Sequence, residues 1–137
     1  MSNLTELAWT YSFDMMALGA SGLIAYLIYC LKKKTIDKVK LLVLILLISY
    51  FTYVGMPYIQ DYIDQETNTL YGIVLEEKAS TYKLSRTVYS YTLQAENGEQ
   101  VVVFVDEQFR DTFGMKTGRQ YTISYFTHSN AVSNVIE

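Results

Sequence analysis

Apolar residues run almost unbroken from 13 to 31 and again from 41 to 58, separated by a short segment crowded with lysine. An α-helix rises 1.5 Å per residue, so about twenty apolar residues cross the roughly 30 Å hydrocarbon layer of a bilayer. Each run suffices for one crossing, which predicts a membrane helical hairpin with transmembrane helices over 13–31 and 41–59. Residues 1–12 read as an N-terminal tail. Past Pro57, Tyr58, Ile59, Tyr62 and Ile63 alternate at helical spacing with Gln60, Asp61, Asp64 and Gln65, as in a stalk over 60–66 that leaves the interface.

From Thr67 the period changes. Short runs rich in Val, Ile, Tyr, Thr and Phe over 70–77, 87–95, 100–105, 120–126 and 131–136 carry strand chemistry. Asn97 and Gly98 tolerate positive φ, so a type I′ turn is expected between the second and third strands. Asp106 is suited to cap a short helix over 106–113 that sets Phe109 and Phe113 on one face, with Gly114 at its end. Five short antiparallel strands and one short helix over 67–137 predict a small all-β domain. The expected form is a partly closed barrel, OB-like or SH3-like, because closure hides the edges of a small sheet.

Lysine sets the expected orientation. Lys32, Lys33, Lys34, Lys38 and Lys40 fill the loop over 32–40, while no Lys or Arg precedes Lys32 or lies between 41 and 77. Short basic loops stay cytoplasmic, which gives a two-span, N-out and C-out protein with the domain outside the cell membrane. Positive charge after the apolar run argues against a cleaved signal peptide. The only cysteine, Cys30, lies at the inner end of the first span, so the exported part has no disulfide, in keeping with a bacterial cytoplasmic membrane. Ala17, Ser21 and Ala25, four apart, define a small-residue face for close helix packing. The second span is the expected partner of that face, and a separate partner protein is the alternative; the hairpin can equally pair with a second copy of the chain.

Charge and chemistry narrow the functional classes. From Gln60 onward six basic side chains face eleven acidic ones, a net of −5. That balance opposes nucleic-acid binding, which depends on clustered positive charge, and favours a cationic partner. His128 is the only histidine, and no phosphate-cradling glycine loop is present. Neither a metal site, a cofactor nor an enzymatic site is expected. Glu76 with Glu77, and Asp106 with Glu107, are adjacent acids that a regular strand would point to opposite faces. Two surfaces remain as binding candidates. One is acidic, formed by Glu76, Glu77, Glu96 and Glu99. The other is a tyrosine stripe, with Tyr89 and Tyr91 on one face of the second strand and Tyr121 and Tyr125 on one face of the fourth. The expected role is a membrane-anchored extracytoplasmic binding or accessory protein with a membrane or extracytoplasmic protein partner. The alternatives are an immunity protein that intercepts a cationic peptide or toxin, and an ectoenzyme.

Overall fold

A computed structural model describes residues 2–82 and 86–137. They divide into two compact units, one of Tyr11–Met56 and the other of Met1–Thr10 together with Pro57–Glu137. The helices are α1 (Asn3–Ala8), a π-helical turn (Trp9–Phe13), α2 (Asp14–Lys33) and α3 (Lys38–Asp64). The first three run on as 31 helical residues and α3 has 27, so both stretches are long and apolar enough to cross a membrane.

In the unit Tyr11–Met56 the two helices meet through small residues, though not the expected ones. Gly19 is buried, and a Cβ there would stand 3.0 Å from Ile48. A Cβ on Gly55 would stand 2.6 Å from the Ser12 hydroxyl. Ala17, Ser21 and Ala25 are exposed, so the second helix is not their partner. Each residue turns a helix by about 100°, which sets Ala17 nearly opposite Gly19. At the lysine loop Lys34 ends α2 in the left-handed conformation (φ 55°), and Asp37 accepts the amide hydrogens of Val39 and Lys40. That carboxylate offsets Lys38 and Lys40 at the helix N-terminus, where positive charge is unfavourable.

The other unit is built on an antiparallel sheet of β1 (Thr67–Tyr82), β2 (Arg86–Ala95), β3 (Gln100–Asp106), β4 (Gln120–Phe126) and β5 (Val132–Ile136), in the order β3-β2-β1-β4-β5. All five expected strands are present, and β1 is longer than its apolar pattern indicated. Beyond Glu77 it continues through exposed Lys78, Ala79 and Ser80 as the partner of β2. One face carries the core: Val74, Tyr91, Leu93, Val103, Val105, Tyr121, Ile123 and Val132, with Met115 from the loop before β4. Phe109 and Phe113 stack at 6.0 Å between ring centroids and pack against it.

Two turn expectations change. The β2–β3 turn is not type I′: the Gly98 amide hydrogen bonds to the Ala95 carbonyl, so Glu96 and Asn97 are central and only Gly98 has positive φ (87°). Asn97 instead turns its Oδ1 to the Glu99 amide at 2.9 Å, and Gly98 takes the bulge position of a three-residue hairpin loop. Asp106 caps the short helical segment by accepting the Gln108 amide hydrogen. That segment is a 3-10 turn (Glu107–Phe109) followed by α4 (Arg110–Phe113).

The sheet is not closed into a barrel. Among the described residues β3 is bridged only to Ala131, just before β5, through an isolated parallel bridge from Phe104, and α1 packs against both strands. Leu4, Leu7 and Ala8 are buried, so residues 1–12, expected as a tail, begin with a helix that belongs to the sheet's own unit. The Asn3 side-chain amide donates to the carbonyls of Phe104 (3.1 Å) and Val132 (2.9 Å), and its Oδ1 accepts the Asp106 amide hydrogen at 2.8 Å. One side chain thus bonds to both edge strands, and Asn130 adds two more bonds to β3. At the other strut, buried Asp61 accepts the amide hydrogens of His128 and Ser129, and Asp64 meets the His128 ring at 3.1 Å.

Two substitutions test these contacts. Asn3→Ala removes a partner from two buried backbone groups and one part-buried one and is expected to lower stability by about 2–4 kcal/mol in denaturant titrations of the micelle-bound protein; a loss below about 0.5 kcal/mol would remove Asn3 from this role. Gly72 sits where a Cβ would lie 2.7 Å from the Gln94 carbonyl oxygen. Gly72→Ala should therefore force backbone movement costing about 1–3 kcal/mol, read as a lower unfolding midpoint with unchanged denaturant slope.

Candidate functional site

A bulge in β1 decides which acid faces inward. Before it Val74 pairs with Leu93, and after it Glu77 pairs with Tyr91, so three residues of β1 span the distance of two in β2. The extra residue flips the alternation. Glu77, and not Glu76, therefore stands beside Tyr91 on the core side, while Glu76 faces out and meets Lys78 at 3.8 Å. Val74 is held there by two bonds to the loop before β4, its amide to the Arg119 carbonyl and its carbonyl to the Gly118 amide.

Glu77 closes an ion pair at 2.9 Å with Arg110, which α4 projects back over the sheet, and the Arg110 guanidinium lies 4.5 Å above the Tyr89 ring. The cation on that ring face and the carboxylate beside it hold each other in place. The bond to Glu77 holds Arg110 still more firmly protonated. Around this pair opens a cleft of about 410 Å³ lined by Glu77, Tyr91, Arg110, Asp111, Lys116 and Thr117, with Gly114 and Met115 completing it. Its volume falls in the range of about 300–1,000 Å³ common for small-ligand sites.

The Tyr91 hydroxyl is buried and makes no hydrogen bond of good geometry, although Glu77, Arg110 and the Met115 backbone lie close to it. Burial first, and then the Glu77 carboxylate, push this phenol above its ordinary value, while Arg110 acts the other way. It is a protonated donor at neutral pH. An unpartnered buried hydroxyl forfeits about 1–3 kcal/mol of hydration. Tyr121 differs, because its hydroxyl accepts the Lys116 amide hydrogen at 2.9 Å and so fixes the loop bearing Lys116.

The expected tyrosine stripe is largely interior. Tyr91 and Tyr121 belong to the core, and Tyr89 and Tyr125 are partly buried against it, so the stripe offers no broad binding face. Period-two alternation put these residues on shared faces correctly, but the face is the one the domain buries. Burial followed by the Glu99 charge pushes the Tyr125 phenol up.

The acidic surface is dispersed as well. Glu96 and Glu99 are exposed at the β2–β3 turn, where Glu96 lines a smaller cleft of about 180 Å³ with Tyr71 and Gln94. Asp64 and Glu77 are engaged with His128 and Arg110, and buried Asp61 and Asp106 cap backbone amides. Glu6 is buried beside Arg86 at 3.7 Å. The lysines at 32, 33, 34, 38 and 40 are all exposed.

Arg110, Asp111 and Lys116 were not marked by the sequence as site residues. The only signal pointing to them was the four-residue spacing of Phe109 and Phe113, which anchors the helix carrying Arg110. Among the described residues no three His, Cys, Asp or Glu side chains are grouped to hold a metal ion. The cleft presents hydrogen-bond donors and acceptors of both charges. Comparison with protein-family models, curated proteins and solved structures produced no match to this chain.

Proposed function

We propose that this chain is a membrane-anchored binding or accessory protein that holds a small acidic β domain at the outer face of the cytoplasmic membrane. The observation carrying the binding role is the cleft beside the β1 bulge, where a buried, unpartnered Tyr91 hydroxyl lies with the Glu77–Arg110 pair. Membrane anchoring rests on two long apolar helices whose exposed surfaces include Leu18, Ile28, Leu31, Leu42 and Leu46. Lipid covers such surfaces without cost, whereas water does not.

Orientation rests on two independent supports. The N-terminal helix shares one compact unit with the sheet, as required if both ends of the chain lie on one side of the bilayer. Five exposed lysines between the spans then select the inner side for the loop. Within the domain, the strand order, the parallel approach of β3 and β5 and the short helix before β4 favour the OB-like over the SH3-like reading. Such likeness assigns no ligand. The self-protection reading draws less support, because several of the acids it would need are engaged internally.

Orientation is tested with Cys30→Ser as background, adding Glu96→Cys or Lys34→Cys, and treating sealed cells with a membrane-impermeant maleimide. Glu96→Cys should react before lysis and Lys34→Cys only after it. The opposite order would put the domain in the cytoplasm and end the proposal in its present form.

A further inference from the structure

We infer that the cleft beside the β1 bulge binds a short peptide carrying both a free ammonium and a free carboxylate. This deepens the proposed binding role and depends on it. The lining contains two acids, Glu77 and Asp111, and two bases, Arg110 and Lys116. A polyanion or a polycation would meet as much repulsion as attraction there. An amphoteric ligand meets complementary charge at each end.

Only one of the two opposite pairs is formed in the protein. Glu77 and Arg110 join at 2.9 Å, whereas Asp111 and Lys116, both exposed, pair with no opposite charge among the described residues. Asp111 is thus free to take an ammonium and Lys116 a carboxylate. The Lys116 backbone is already fixed through Tyr121, so its side chain starts from a defined point on the rim. On the floor, the fully buried Tyr91 still has an unused hydroxyl donor. A ligand reaches that hydroxyl by displacing the half-exposed Arg110 guanidinium from Glu77, which lets a peptide carbonyl between the two charged ends accept from Tyr91. A saccharide would use the hydroxyl equally well but would leave Asp111 and Lys116 unmatched.

The full chain in neutral-lipid nanodiscs is titrated with trialanine, its N-acetyl form, its C-terminal amide, the doubly blocked peptide and maltotriose, reading amide NMR shifts and affinity. Trialanine should produce saturable shifts at Gly114, Lys116 and Thr117, and blocking either end should weaken binding about tenfold, the loss of one charge-assisted contact. Asp111→Asn should erase the difference between trialanine and its N-acetyl form. Lys116→Gln should erase the difference between trialanine and its amide, and Tyr91→Phe should weaken every form without unfolding the domain. Equal binding of the doubly blocked peptide overturns the amphoteric class. Shifts from maltotriose but not trialanine also overturn it while keeping the cleft as a binding site. Silence from every probe rejects both the ligand class and the binding role of the cleft, leaving the labelling result on orientation unaffected.

Discussion

A sheet that does not close on itself must still satisfy the backbone groups of its two outer strands, and here a side-chain amide from the start of the chain shares that task with Asn130. Asn3 reaches β3 and β5 together, donating to one carbonyl on each and accepting an amide hydrogen from the end of β3. Unpaired edges invite association with other chains, and buried unpaired peptide groups are costly. The helix that delivers Asn3 also buries Leu4, Leu7 and Ala8, enlarging the core of a domain of about seventy residues that would otherwise be marginal.

The residues leading into the first apolar helix and those leaving the second both belong to the sheet's unit, the first through Asn3 and the second through Asp61. Tyr62 adds a bond between these two struts, its hydroxyl meeting Thr5 at 2.7 Å. Asp61 of the 60–66 segment, which composition alone counts as a solvated acid, caps two backbone amides, and Asp64 meets the His128 ring. Asp61, Asp106 and Glu77 are held by backbone amides or by Arg110 and so are not part of an open acidic face.

The second constraint is the β1 bulge. One additional residue rotates Glu77 into the core side, and α4 answers with Arg110. A carboxylate on this face needs a counter-charge, and the guanidinium that supplies it lies over the Tyr89 ring in the cleft that Tyr91 also lines. Cleft, ion pair and unpartnered donor all arise from a local shift in pairing between Val74 and Glu76.

Period and composition were enough to read the two apolar helices, the five strands, the Asp106 cap and the Phe109 and Phe113 anchor, because each depends on spacing within a short segment. Contacts between segments were not readable in the same way. Whether Ala17 or Gly19 faces the second helix depends on where Ile48 lies. Glu77 displaces Glu76 through a bulge that has no residue signature, and the tyrosine alternation does not say which face is interior. The seam at Asn3 joins residues about a hundred positions apart, and Lys116 reaches the cleft through a bond to Tyr121. Local hydrophobic period is a property of the chain itself, whereas these pairings exist only once distant strands have set each other's register, and that is why tertiary structure alone decided the site.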